Sequence, residues 1–110
     1  MEKPWIKHYD EGVPAKMEYP RIPLDRLLAD AARKHPEHTA IIFGAMAGSR
    51  LMDARVTYRQ LDDAVNRFAA GLQRLGVGKG DRVAIQLPNS PQFIIAAYAV
   101  WRLGGVVVCC

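Results

Sequence analysis

Apolar positions along the chain fall into blocks of different period, separated by proline, glycine and charge. Leu24, Leu27, Leu28, Ala31 and Ala32 recur at helical spacing and predict a helix over residues 24–34. His35-Pro36 ends it, because the residue before a proline avoids the helical region. Residues 39–43 form a short apolar run rich in β-branched side chains, which reads as a strand. Residues 44–54 are rich in small side chains and read as a loop, with Val56 and its neighbours as the return strand of a hairpin. Leu61, Val65, Phe68, Ala69, Leu72 and Leu75 then mark the stripe of a second helix that stops at Gly76. Thr57 and Gln60 have the spacing of a capping box, in which hydroxyl and amide each satisfy a free backbone N–H. Asp62 and Asp63 are expected in the first turn, where the helix dipole favours acids.

The last third has a different rhythm. Residues 82–87 read as a strand, Asn89 or Ser90 as the cap of a third helix, and Pro91 as its first position. That helix runs to about Leu103, Gly104 stops it, and residues 106–108 form the next strand. Strand, helix and strand with short links make a βαβ unit with parallel strands and a right-handed crossover. A strand apolar at every position is expected to be buried on both faces, which requires more neighbours than this chain has left. The apolar window from Phe93 onward is long enough to raise a membrane span, but Arg102 and Gly104-Gly105 argue for a buried helix followed by a buried strand.

The fold class that follows is α/β: a partial parallel sheet with flanking helices, built from one βαβ unit and a short hairpin. Residues 1–23 carry Pro4, Pro14, Pro20 and Pro23 among Trp5, Tyr9 and Tyr19, and are expected to form an extended arm packed on a surface. Residues 24–110 are expected to form an incomplete α/β subdomain, the front of something larger.

Half of the 110 residues are apolar and 24% are charged, an ordinary globular balance. The net charge of +4 comes from bases interleaved with acids, and no basic run supplies the clustered charge that nucleic acid requires. The two cysteines, Cys109 and Cys110, are adjacent and can close only a strained ring, so reduced thiols are expected, as in the cytosol. The first residues hold no apolar core long enough for a signal peptide. A cytoplasmic location is expected, with peripheral contact to a membrane left open.

Candidate chemistry is sparse. The run from Gly76 to Asp81 looks like a phosphate cradle, but lies between a helix and a strand, the reverse of the order such cradles use. It reads as a helix cap and turn. Pro88, Asn89, Ser90 and Pro91 have the correct order, at the carboxyl end of a strand where open α/β sheets bind ligands. Capping accounts for Asn89 and Ser90, with a place in a site wall as the alternative. His35 and His38 lack the further ligands of a metal site. Asp62 and Asp63 point about 100° apart on a helix and suit acid–base work poorly. Cys109 and Cys110 have no identifiable base to activate them and read as a buried or frayed terminus. No catalytic, cofactor-binding or metal-binding residue is assigned.

The stretch from Val56 to Val108 resembles the N-terminal part of AMP-forming acyl-CoA synthetases, of the adenylate-forming superfamily. Four pieces carry the resemblance: Val56-Thr57-Tyr58 with Leu61-Asp62, the turn from Gly76 to Val83, the link from Leu87 to Ser90, and the close from Gly104 to Val108. The opening Lys3-Pro4-Trp5 with His8-Tyr9-Asp10 looks like the long-chain fatty-acid ligase branch. Two features depart from the family: Cys109-Cys110 replaces proline and a polar turn, and residues 44–54 look longer than the usual tight hairpin. The resemblance implies an enzyme that uses ATP and magnesium to make an acyl-adenylate, then coenzyme A to make a thioester. It also implies that the phosphate loop, the ribose-binding aspartate and the catalytic lysine lie beyond Cys110. The expected partners are the remainder of the parent enzyme and its fatty acid. The chain alone is expected to be inactive and to self-associate. The alternatives are a small non-catalytic α/β interaction module, and a fragment of an adenylate-former for aryl or amino acids.

Overall fold

The computed structural model describes residues 3–110. The expected α/β fold class holds: three helices flank two small sheets, in the order α1 (Asp25–Lys34), β1 (Thr39–Ala47), β2 (Arg50–Thr57), α2 (Tyr58–Arg74), β3 (Arg82–Ile85), α3 (Pro91–Arg102), β4 (Val106–Cys109). β1 and β2 pair antiparallel, and β3 and β4 pair parallel with Arg82 opposite Val106 and Ile85 opposite Cys109. β3 stops two residues short of the strand expected from sequence, and β4 runs one residue longer.

The main core lies where the helices meet. Leu28 of α1, Leu61, Val65 and Ala69 of α2 and Ala99 of α3 are buried together, and Val65 and Ala99 are wholly shielded. Leu61, Val65, Ala69 and Leu72 recur every three or four residues, so α2 offers one continuous stripe to α1 and α3. Small residues on α3 let the helices approach closely: Ala96, Ala97 and Ala99 are buried, with Ala96 and Ala97 packed on Ile85 of β3. Leu24 and Leu27, assigned by periodicity to the core face of α1, are exposed, and Leu28 alone is buried.

Helix α2 begins as its sequence predicts. Thr57 Oγ1 accepts from the Gln60 N–H at 3.2 Å, and Gln60 Oε1 accepts from the Thr57 N–H at 2.9 Å. It ends in a Schellman turn, with Gly76 N–H donating to the Gln73 carbonyl at 3.0 Å and Val77 N–H to the Leu72 carbonyl at 3.1 Å. Gly76 has φ +96°, a conformation that side chains with a Cβ resist.

Two expectations are corrected. Residues 44–54 are not a loop: β1 and β2 run through them as one ribbon, closed by a two-residue turn at Gly48-Ser49 between Ala47 and Arg50. Gly48 has φ +64°, and a positive φ at the first of two loop positions matches the twist of paired strands. β4 is covered on one face: Val107 packs towards Ile85, Ala96 and Ala97, while Val106 and Val108 are exposed, as expected of a strand whose further neighbours this chain does not hold. The physical reason is that alternate residues of a strand face opposite sides, and the described residues cover one side only. The N-terminal aromatics do not pack on a surface: Trp5, Tyr9 and Tyr19 are all exposed, and Pro4–His8 forms a short 3-10 turn rather than extended chain.

Candidate functional site

The carboxyl end of β3 is where the fold can present a ligand site. Pro88, Asn89 and Ser90 link β3 to α3, and the sheet places that link beside the base of the hairpin. Asn89, Ser90, Pro91 and Ile94 face Ile41, Ile42 and Phe43 of β1 across an open pocket of about 310 Å³. Sequence reasoning read Asn89 and Ser90 as caps, with a site wall as the alternative, and missed β1 as the opposite wall, because nothing local links residues 41–43 to residues 89–94.

Ser90 occupies the N-cap position of α3 in extended conformation, yet its side chain does not cap. Its hydroxyl donates to the Pro88 carbonyl at 3.1 Å instead, which stiffens the link. The capping account of Ser90 is therefore corrected, because Oγ bonds backwards along the chain. The pocket wall is largely apolar, with one amide and one hydroxyl at its rim. It can shelter an apolar group and hydrogen-bond a polar end, but it contains no acid or base to move a proton.

The turn from Gly76 to Asp81 fills itself. The Asp81 carboxylate accepts the Gly78 N–H at 2.7 Å, and the Asp81 carbonyl accepts the Val106 N–H at 2.7 Å. Gly80 N–H donates to the Gly104 carbonyl at 2.9 Å. A carboxylate thus sits where a phosphate would have to bind, so this loop does not fit a nucleotide, and its work is to fasten the end of α3 and the start of β4 to the end of α2. Among the described residues no three His, Cys, Asp or Glu side chains converge on a point that suits a metal ion. His35 and His38 are exposed and stacked on each other, with ring centroids 4.8 Å apart.

Asp62 and Asp63 fall beyond the first turn, because α2 starts at Tyr58. Asp63 is exposed, while Asp62 turns inward to Arg102 of α3. Arg102 joins all three helices: Nη1 donates to Asn66 Oδ1 at 2.7 Å, and Nε lies 3.6 Å from Asp25 Oδ2 of α1. Its Nη2 and Asp62 Oδ1 are shut off from solvent and 2.9 Å apart, but off the line of a hydrogen bond. That contact is an ion pair held by charge alone. Cys109 lies within β4 and Cys110 donates its N–H to the Ile85 carbonyl at 3.1 Å, so the end of the chain is paired rather than frayed, with both thiols exposed.

A second pocket of about 170 Å³ opens between α2 and β3, lined by Phe68, Leu72, Val83, Ile85, Leu87, Ala96 and Val100. Gln86 also lines it, and the rest of its wall is hydrocarbon. Among the described residues no helix is long and apolar enough to cross a membrane.

Residues 28–110 match the profile of the AMP-binding enzyme family. A long-chain-fatty-acid–CoA ligase of Bacillus subtilis is 36% identical over 107 residues, covering 97% of this chain and 18% of the ligase. A salicyl-AMP ligase / salicyl-S-ArCP synthetase of Mycobacterium tuberculosis is 44% identical over 87 residues, covering 79% of this chain and 15% of that protein. The crystal structure of a long-chain-fatty-acid–CoA ligase from Archaeoglobus fulgidus superposes with a TM-score of 0.76 at 29% identity, over 92% of this chain and 21% of that one. The chain thus spans about a fifth of the length of the relatives it matches.

Proposed function

We propose, from the premise that this chain belongs to the AMP-binding enzyme family, that it is the N-terminal scaffold of an ATP-dependent ligase that activates a fatty acid. The observation that supports the fatty-acid reading is reach combined with identity: 36% over 97% of the chain in the Bacillus ligase, the proline-rich arm included. The parent reaction is attack of a carboxylate on the α-phosphate of ATP with loss of pyrophosphate, followed by attack of the coenzyme A thiol on the acyl carbon with loss of AMP. The chain's own residues take part by position. Arg102 locks α3 against α1 and α2, the Asp81 turn fixes β4 on β3, and the link at Asn89 and Ser90 offers a wall for an apolar group. We assign residues 1–23 to an arm and 24–110 to an incomplete α/β subdomain, in keeping with a family match that starts at residue 28. No catalytic, cofactor or metal ligand is assigned to this chain, and a cytoplasmic location is proposed.

A second reading is an aryl-acid adenylate-former, favoured by the higher identity, 44%, to the salicyl-AMP ligase. ATP–pyrophosphate exchange and thioester formation by the whole parent enzyme, with fatty, aryl and amino acids, separate the two. Exchange and thioester with long-chain fatty acids are expected. Exchange with salicylate alone would transfer the protein to the aryl branch, and a folded parent with no exchange for any acid would end the ligase reading.

A further inference from the structure

The outer edge of β2 has an arrangement that its sequence does not need for folding. Tyr58 N–H donates to the His38 carbonyl at 3.0 Å, a bond that flanks Thr39 and Thr57 as a pair not hydrogen-bonded to each other. β2 runs without a bulge, so counting back in twos puts Arg55, Asp53 and Leu51 in the same state. The backbone N–H and C=O groups of those three residues therefore face away from β1. Among the described residues no strand pairs with them. Thr57 ends this free edge, because its N–H is taken by Gln60.

An open strand edge pairs with another strand unless something blocks it. Its best partner here is itself. In an antiparallel two-fold pairing with the dyad at Ala54, Asp53 stands opposite Arg55 of the other copy, twice. Each pairs through outward-facing groups, so the backbone register and the charge pattern agree. A dyad at Asp53 would instead oppose two aspartates, and one at Arg55 two arginines, and like charges directly opposite destabilise. The Asp53 and Arg55 side chains are more than half exposed and 3.9 Å apart within one copy, a loose contact that is free to exchange. A crevice of about 440 Å³ runs beside Arg55 and Val56 against α2 and leaves room at that end. Two ribbons joined this way make four strands, with Phe43, Met52 and Ala54 of each copy sharing one face. A lone two-stranded ribbon is marginal in water, whereas a sheet of three or more strands with an apolar face is stable.

We infer that the β2 edge, Leu51 to Arg55, is a self-pairing edge that joins two copies of this chain about a dyad at Ala54. Sedimentation equilibrium on the protein and three variants tests it. Asp53→Arg and Arg55→Asp each set like charges across the dyad and are expected to weaken association about tenfold or more. The double exchange Asp53→Arg with Arg55→Asp restores the opposite pairs and is expected to restore association. A second test places Ala54→Cys in a Cys109→Ser, Cys110→Ser background. The dyad pair falls within disulfide reach, so mild oxidation should give a cross-linked dimer, whereas Met46→Cys in the same background should not. A monomer throughout the micromolar range overturns the inference. So does a double exchange that behaves like the single ones, or an Ala54→Cys protein that stays uncross-linked, either of which gives the edge to another occupant.

Discussion

Arg102 on the last turn of α3 and Asp62 on α2 bring their charged atoms to 2.9 Å in a place closed to water. The pair is misaligned for hydrogen bonding, and the alignment goes instead to Asn66 at 2.7 Å. Arg102 thus serves three partners with one planar fork, a division that a lysine ammonium cannot copy. Removing the arginine leaves Asp25, Asp62 and Asn66 facing one another across the helix junction.

Arg102→Met is therefore expected to destabilise the fold by about 1–3 kcal/mol, between the values for exposed and for buried pairs. Arg102→Lys should recover only part of the loss. Urea midpoints of the two variants check this, and equal midpoints for wild type and Arg102→Met would show that the ion pairs contribute nothing net.

Thr57→Ala is expected to cost about 1 kcal/mol through loss of one half of the capping box. Gln60→Ala should cost a similar amount, because its amide oxygen holds the Thr57 N–H. The effects of the two substitutions should not add, since both act on one reciprocal contact. A double-mutant cycle in thermal denaturation measures the shortfall.

Gly105→Ala is expected to be more damaging than either. A Cβ there would lie 2.9 Å from Val100 Cγ1 and 3.1 Å from the Asp81 carbonyl oxygen. Relieving those contacts requires moving backbone, at roughly 1–3 kcal/mol. Gly78→Ala is the control, since its Cβ would meet only Asp81 Oδ2 at 3.9 Å. If both variants melt together, the close approach at Gly105 does not matter.

With ATP, magnesium and a fatty acid, this chain by itself is expected to release no pyrophosphate above a blank without protein. The motive is the Asp81 carboxylate in the turn from Gly76 to Asp81, which repels the anion such a turn would have to hold. Phosphate or pyrophosphate release that follows added chain in proportion refutes this.

What sequence revealed and what it hid divide by range. The capping box of α2, its Schellman end and the packed positions Leu61, Val65, Ala69 and Leu72 are local patterns that appear where the spacing puts them, whereas Phe68 and Leu75 of the expected stripe are exposed. The ribbon from Gly44 to Ala54 reads as a loop in the sequence because Gly44, Ala45, Ala47 and Gly48 carry turn-like composition, and because both faces are open, which erases alternation. The Arg102 junction was hidden because it depends on how three helices cross. The pocket wall at Ile41 and Phe43 was hidden for the same reason, while the place of Asn89 and Ser90 after β3 suggested a site wall only as the alternative to capping. Ser90 shows the limit of a favourable residue type: it stands at the cap position and bonds elsewhere.

The Asp81 turn also sets which segments can change length. Val106 N–H meets the Asp81 carbonyl, and Gly105 N–H meets the Val100 carbonyl at 2.9 Å, so β4 starts at a fixed step from the last turn of α3. One residue inserted into α3 would rotate its buried alanines off Ile85 and slide β4 along β3 at the same time. The β1–β2 ribbon has no such anchor at its tip. It can gain or lose matched residue pairs beyond Phe43 while the helices stay put, so variation in length among natural versions of this segment belongs at the ribbon tip, not in the βαβ unit.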